Sequence, residues 1–267
     1  MKSKVLLLLI LPVLLGSCSS TFYQLYEVKP EQAIKKQDNR LVYEDQNCII
    51  TYNLWADEGN SGFTIHNKTQ QDLTLHLDES FYILNGTAYD YYKNRITSTS
   101  RIVSTATSST NSLALLFGGY ATRTTQVATT GDRGVAYVEK PKITIPPNSS
   151  KQVAEYAISP SLFRSCDLYR FPNRNQIQTQ NFTERNSPVV FKNAIKYSLD
   201  NNDERIAIEN SFYVNAITNY PVGEFIKTEP DEFCGRKEPY PRTNFIKYGP
   251  ERFYIKYEKP KSGATAH

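Results

Sequence analysis

Apolar and polar residues alternate along most of the chain, and a period of two is the pattern of half-buried β-strands. In residues 48–54 this alternation places Cys48, Ile50, Tyr52 and Leu54 on one face, which predicts a strand whose apolar face lies in a core. The same pattern predicts further strands at 63–66, 73–77, 81–84, 87–89, 142–145, 151–158, 189–197, 205–208, 211–217 and 253–257.

Turn-forming residues separate these strands. Asn85-Gly86 leaves only two residues between neighbouring strands and predicts a tight hairpin, because Asn and Gly both accept positive φ. The polar run 200–203 predicts a second hairpin, and only residues 30–37 and a short turn at 162–166 favour helix. Short strands separated by turns predict an all-β, immunoglobulin-like β-sandwich with long loop or hairpin insertions.

Residues 96–131 depart from this pattern. They are rich in Ser and Thr and contain the apolar run 113–117 before Gly118-Gly119. A structureless loop of this length is unusual inside a compact domain. We interpret the stretch as an extra hairpin on the same body; the alternatives are a segment that docks on a partner or membrane surface, and disorder.

The N-terminal residues have the pattern that is typical of a secretion signal. Lys2 and Lys4 precede an apolar run at residues 5–15, which is too short to span a bilayer because a spanning helix needs about 20 residues. The motif Leu15-Gly16-Ser17-Cys18 follows. It resembles the lipobox of bacterial prolipoproteins, and the resemblance implies lipid on the Cys18 sulfur and removal of residues 1–17. The alternative is an ordinary secreted protein cleaved near Ser17.

The residues after Cys18 bear on location. Ser19-Ser20 replaces the Asp that retains related lipoproteins in an inner membrane, which implies the outer membrane. The motifs Asn67-Lys68-Thr69, Ser80-Phe81 and Asn85-Gly86 resemble Bacteroides-type outer-membrane lipoproteins with a β-sandwich core, over about residues 41–220. In that group acidic residues after the cysteine favour the cell surface. Residues 21–24 contain none, so the resemblance favours the periplasmic face, and it implies no catalytic residues.

The expected organisation follows from these segments. It is a signal peptide at 1–17, a lipidated segment and linker at 18–40, a β-sandwich domain at 41–258 with the insertion at about 96–131, and a flexible tail at 259–267. Loss of Lys2 and Lys4 with the signal would lower the formal charge from +4 to +2. A nearly neutral chain offers no electrostatic basis for binding nucleic acid.

The chain has four cysteines. Cys48 lies in a predicted buried strand, where it would act as a small apolar residue. Cys166 and Cys234 lie in loop-like segments, and a secreted protein meets an oxidising compartment, so a Cys166–Cys234 disulfide is the favoured pairing of the three that are open.

Candidate chemistry is sparse. His66 and His76 lie on neighbouring predicted strands, on the expected solvent face, where they could ligate a metal if a carboxylate such as Asp78 joined them; a solvated surface pair is the simpler interpretation. The chain has no Gly-x-Ser-x-Gly elbow, phosphate loop or Cys/His cluster, so we expect no cofactor and no bound metal. Acidic pairs suit a hydrolase only if two carboxylates face each other across a cleft.

Three functions remain open at this point. The first is a lipid-anchored envelope protein without catalytic activity, acting as a structural or protein-interaction module. The second is a glycan-binding surface, suggested by 19 Tyr and 13 Phe, with Tyr89, Tyr91 and Tyr92 as a candidate platform. The third is an acid-dependent hydrolase. The expected partners are the membrane, through lipid on Cys18, and an envelope protein or glycan.

Overall fold

A computed structural model describes residues 20–30, 34–99, 135–159, 161–200 and 204–260. The chain divides into two units: Met1–Tyr91 with Lys142–His267, and Tyr92–Pro141. The first ten strands are β1 (Thr21–Pro30), β2 (Lys35–Gln37), β3 (Arg40–Glu44), β4 (Cys48–Tyr52), β5 (Phe63–Asn67), β6 (Leu73–His76), β7 (Phe81–Leu84), β8 (Thr87–Asp90), β9 (Ile96–Thr99) and β10 (Val135–Val138).

The remaining strands follow the same order. They are β11 (Lys142–Ile145), β12 (Ser150–Val153), β13 (Thr179–Asn181), β14 (Val190–Leu199), β15 (Ile206–Pro221), β16 (Ile226–Glu229), β17 (Glu232–Phe233), β18 (Arg236–Lys237), β19 (Arg242–Phe245) and β20 (Arg252–Glu258). One four-residue helix, α1 (Val222–Phe225), follows β15. Among the described residues, no helix has the length and apolar character needed to cross a membrane.

The first unit is built on two antiparallel sheets. The larger has nine strands, with the main order β11-β6-β14-β15-β1-β20; β13 pairs with β15, and β7 pairs with β14 and β8. The smaller has the order β12-β5-β4-β3-β2. Two short hairpins, β16 with β19 and β17 with β18, lie between α1 and β20. The prediction of an all-β sandwich with hairpin insertions is therefore confirmed.

Side chains from both sheets meet in one core. The Tyr52 ring on β4 lies 5.1 Å from the Phe212 ring on β15, edge to face. Two buried asparagines are paired across the same space: the Asn210 amide donates to the Tyr52 hydroxyl at 2.7 Å, and Asn193 donates to the Ser61 carbonyl at 3.1 Å. Such pairing matters because an unsatisfied buried polar group costs about 1–3 kcal/mol.

Strand β1 is a central strand of the larger sheet. It pairs with β15 on one side and β20 on the other. One of its faces packs through Tyr23 and Leu25 against Phe225, and on the other the Tyr26 ring stacks on Phe253 at 4.5 Å. The β-body therefore begins at Thr21 and not at residue 41, inside the segment that we expected to be a linker.

Most predicted strands are present, and none of the described residues of the two predicted helices, 30, 34–37 and 162–166, is helical. Residues 35–37 form β2, because Asp38-Asn39, with φ of 43° and 60°, makes a tight turn to β3. Residues 162–166 form a loop. The Asn85-Gly86 hairpin is confirmed, with φ of 47° and 83° between β7 and β8. The predicted strands 205–208 and 211–217 belong to the single strand β15, and the strand expected at 151–158 ends at Val153.

The second unit contains the insertion. Strands β9 and β10 pair antiparallel, with Ile96 opposite Val138. The Glu139 carboxylate holds the first residues of the unit, since it accepts from the backbone N–H groups of Lys93 and Arg95 and pairs with the Arg95 guanidinium at 2.7 Å. The rest of the expected insertion, residues 100–131, and most of the expected tail, residues 261–267, lie outside the described residues.

Candidate functional site

Cys18 itself lies outside the described residues, and the first described stretch begins at Ser20. Ser20 is exposed, and its carbonyl accepts a hydrogen bond from the Lys259 backbone N–H at 3.1 Å. Thr21 then begins β1. A single residue, Ser19, therefore separates the candidate lipidation site from Ser20 in the sequence.

The other three cysteines are free thiols. Cys48 is fully buried on β4, as its strand pattern predicted. The expected Cys166–Cys234 disulfide is absent from the structure, and both side chains are exposed. Cys166 lies in the loop after β12, whereas Cys234 has a φ of 52° in the turn between β17 and β18. Each belongs to a separate surface loop, a relationship that sequence spacing does not reveal.

The two histidines do not form the predicted surface pair. His66 is partly exposed on β5 in the smaller sheet, whereas His76 is buried on β6 in the larger one. His76 Nε2 forms a hydrogen bond with the Ser198 hydroxyl at 2.9 Å, and its Nδ1 has no hydrogen-bond partner. Burial, and then the nearby Arg205 charge, lower the His76 pKa.

His76 instead groups with two neighbouring carboxylates. One potential ligand atom from each of His76, Asp78 and Glu79 lies within 4.8 Å of the others. Glu79 already has two cationic partners. Its carboxylate pairs with Arg205 at 3.1 Å and with Lys196 at 3.6 Å, and these cations lower the Glu79 pKa. A divalent cation would have to displace Arg205 and tolerate Lys196, so the arrangement acts as an ion-pair network.

The tyrosines suggested as a sugar-binding platform serve different purposes. Tyr91 is 2% exposed, and its hydroxyl donates to Asn193 Oδ1 at 2.5 Å inside the sandwich. Its pKa is raised by burial, so it remains a protonated donor. Tyr89 is exposed, and Tyr92 belongs to the second unit. The predicted platform of Tyr89, Tyr91 and Tyr92 is therefore wrong, because its middle residue is a core side chain.

The acidic pairs do not produce a catalytic cleft in the part of the chain that is described. Asp57 Oδ1 accepts from the Lys256 backbone, Asp231 Oδ1 accepts from the Glu232 backbone, and Glu79 is ion-paired. Three surface pockets have volumes of about 200, 290 and 370 Å³, and Asp167 is the one carboxylate that lines any of these three. None of them holds the two facing carboxylates that a glycosidase needs.

A hydrogen-bond network fixes the loop at residues 161–171 against β1. The Gln24 side chain donates to the Phe163 carbonyl at 2.9 Å and accepts from the Phe163 backbone N–H at 2.7 Å. Tyr26 donates to Gln24 Oε1, and burial raises its pKa to about 12, so the hydroxyl keeps its proton. Asn219 donates to the Tyr169 carbonyl at 2.9 Å. Three strand side chains thus hold a loop that contains almost no regular structure.

The pocket of about 200 Å³ lies where this loop meets the sheet. Arg164 and Arg170 line it together with Ser165, Asn219 and Tyr257, and no carboxylate does so. The Gln24 and Asn219 amides donate to the Phe163 and Tyr169 carbonyls of the loop, and the two guanidinium groups are the charged groups that line the pocket. Sequence reasoning missed this site; the close spacing of arginines and aromatic residues at 163–171 was the available signal.

A second surface feature is formed by Trp55 and by the chain segment that connects β15 to β20 in the sequence. Trp55 is packed against Phe225, Phe245 and Tyr248, with ring centroids 5.3–5.9 Å apart. The segment 222–248 also exposes five of the eight large apolar or aromatic side chains that are exposed in the described chain; these are Val222, Phe233, Tyr240, Ile246 and Tyr248. Exposed aromatic residues gathered in one segment are typical of interaction surfaces.

Comparison with known proteins assigns no family: no family model matches the chain, and neither a curated protein nor a solved structure is similar to it.

Proposed function

We propose that the chain is a lipid-anchored cell-envelope protein, lipidated on Cys18, whose β-body acts by binding and not by catalysis. The observation that carries the proposal is the position of β1. This central strand begins three residues after Cys18, so removal of residues 1–17 would leave every described strand intact. The proposal includes the outer membrane, implied by Ser19-Ser20, and its periplasmic face, implied by the lack of acidic residues at 21–24.

A binding role is supported by the surface and by the absence of an organised reaction centre among the described side chains. His76 is buried and bonded to Ser198, its neighbour Glu79 is ion-paired with Arg205, and the three pockets contain no pair of carboxylates. The segment 222–248 offers exposed rings, of which Tyr240 is 82% and Phe233 70% exposed. Aromatic side chains are enriched at protein interfaces, so an envelope protein is the partner that we propose.

A glycan remains the second candidate ligand. The platform of Tyr89, Tyr91 and Tyr92 is not formed, but Tyr240 and Tyr248 are exposed in segment 222–248. A ring with an accessible face suits the apolar face of a sugar, while its hydroxyl stays in water.

The anchor is tested by Cys18→Ala in living bacteria supplied with a labelled fatty acid. We expect complete loss of label and accumulation of the uncleaved precursor, because the thiol is the group that receives lipid. Cys166→Ala is the matched control, since it removes an exposed thiol from the folded body and should leave labelling unchanged. Label retained by Cys18→Ala would refute the anchor.

A further inference from the structure

The length of the tether restricts how the body can sit on a membrane. Ser20 is bonded to Lys259 and Ser19 is the only residue between Ser20 and Cys18. Two Cα steps span at most about 7 Å. A lipid on Cys18 would therefore hold the Ser20 end of the sheet close to the headgroups, and the body could not swing away on a flexible linker.

The strand register shows which residues share that end. Thr21 lies opposite Glu258, and Phe22 lies opposite both Tyr257 and Pro221. The start of β1 thus meets the ends of β15 and β20 at one edge. Lys29 lies eight residues further along β1, which corresponds to about 26 Å at 3.3 Å per residue.

An aromatic and cationic cluster covers this edge. The Phe171 ring lies 5.3 Å from the Phe22 ring, and two cations lie over it, the Arg170 guanidinium at 5.1 Å and the Lys259 ammonium at 5.9 Å. The Tyr257 hydroxyl donates to the Arg170 carbonyl at 2.5 Å and so fixes the backbone of this part of the loop. Both cationic side chains belong to exposed residues.

Three cations and two acids lie at this edge, a net excess of one positive charge. Arg164 and Arg170 line the adjacent pocket of about 200 Å³, and Lys259 adds a third cation. Two exposed acids, Glu258 at the strand end and Asp167 in the loop, oppose them. Guanidinium groups bind phosphate oxygens in bidentate geometry, and aromatic rings with polar surroundings suit the headgroup layer.

We propose that this edge docks on the anionic phospholipid headgroups of the membrane that holds the anchor, with Arg164, Arg170 and Lys259 at the phosphates and Phe171 facing the lipid surface. The inference rests on the proposed lipidation of Cys18, because the tether is what selects this edge.

The first arm of the test measures binding without lipidation. A chain that begins at Ser19 is mixed with vesicles of phosphatidylcholine containing phosphatidylglycerol, and its partition coefficient is measured by co-sedimentation. Arg170→Gln and Lys259→Gln should each weaken partitioning by roughly fivefold, which is the effect of one basic residue near an anionic surface. Lys29→Gln and Lys151→Gln remove the same charge elsewhere on exposed strand positions and should leave partitioning unchanged.

The second arm measures orientation. The chain has one tryptophan, so Trp55→Phe allows a single reporter to be placed by Phe171→Trp or by Lys29→Trp. With Cys166→Ser and Cys234→Ser, Cys18 can be coupled chemically to a maleimide lipid, while Cys48 stays buried. Brominated lipid should quench the tryptophan at position 171 strongly and the one at position 29 little, and unchanged thermal unfolding in each variant shows that the fold is retained.

Two results would overturn the proposal: equal quenching at positions 171 and 29, or equal loss of partitioning in the two pairs of charge variants. Neither result would bear on whether Cys18 is lipidated in cells, because chemical coupling replaces the enzymatic step. If Cys18 were not lipidated in cells but the edge still bound anionic vesicles in vitro, the proposed function alone would be refuted.

Discussion

His76 is a titratable side chain whose charged form the fold opposes. It is 2% exposed, its Nε2 is bonded to Ser198, and Arg205 and Lys142 add positive charge nearby, while Glu79 and Asp78 act in the opposite direction. Burial is the largest of these influences, so the His76 pKa is lower in the folded chain than the 6.5 of an unfolded one.

This difference predicts a loss of stability in acid. The unfolded chain takes up the proton first, so the contribution of neutral His76 is complete above pH 6.5 and is lost as the pH falls through the folded pKa. His76→Gln should therefore lose less of its free energy of unfolding than the parent does between about pH 8 and about pH 5. Urea unfolding at both pH values measures the difference.

Leu77→Ala is the control for this measurement. It removes a neighbouring buried side chain without removing a titratable group, so it should lower stability at both pH values and keep the pH dependence of the parent. If His76→Gln kept the full acid sensitivity of the parent, other groups would be responsible for it.

The prediction for His76 from sequence failed for a tertiary reason. Alternation correctly placed Leu73, Leu75 and Leu77 in the core, and it assigned His76 to the opposite, solvated face. That face is covered too, because Ser198, which is 122 residues away in the chain, lies against the imidazole. A period of two identifies opposite faces of a strand, but it does not show whether both are buried.

At the scale of elements, β1 is the clearest case of a strand that is buried on both faces. Five consecutive residues, 22–26, are buried, so the strand shows no contrast between an apolar and a polar face. Gln24 is among them and is stabilised by its bonds to the 161–171 loop. Because residues 22–26 show no alternation of apolar and polar faces, the sequence does not indicate a strand here, and we expected residues 18–40 to be a lipidated segment and linker.

Substitution in β1 distinguishes a core strand from a linker. Leu25 is 1% exposed and packs with Tyr23 and Phe225. Leu25→Ala should lower the free energy of unfolding by about 2–5 kcal/mol, as loss of a fully buried leucine side chain does. Lys29→Ala, at an exposed position of the same strand, should change it by less than about 0.5 kcal/mol. Urea unfolding of a chain that begins at Ser19 measures both, and a neutral Leu25→Ala would contradict the central position of β1.

Local turn chemistry was a better guide than face assignment. The Asn85-Gly86 hairpin follows from two adjacent residues, and both adopt the positive φ that their side chains allow. The β2–β3 turn at Asp38-Asn39 uses the same geometry, but the helical interpretation of residues 30–37 concealed it. Asn at the second position is a weaker signal than Gly, because its side chain carries some strain there.

At the scale of the whole molecule, the proposed arrangement gives different roles to two adjoining surfaces, because segment 222–248 begins directly after Pro221, which lies opposite Phe22. The edge at Ser20 is assigned to the membrane, and the segment 222–248 is assigned to a partner. A photo-crosslinking residue at Tyr240, which is 82% exposed, should therefore give a defined protein adduct in living cells. The same residue at Lys151, exposed on β12, is the control position and should give none.

The products of this experiment separate the candidate ligands. A protein adduct of one size supports the protein-interaction module, and an adduct that a glycosidase digests supports the glycan alternative. Identical adducts at Tyr240 and Lys151, or none at either position, would contradict a binding role for segment 222–248.

The sequence by itself determined the features that depend on neighbouring residues: the all-β character, the bounds of most strands, the Asn85-Gly86 hairpin and the lipobox-like motif before Cys18. Tertiary structure decided which strands are buried on both faces. It also decided that Tyr91 is a hydrogen-bond donor in the core, and that Phe22, Arg170 and Lys259 share one edge. The physical reason is distance along the chain. Turn geometry and alternation act over a few residues, whereas burial and charge clusters arise from residues that only the folded sheets bring together.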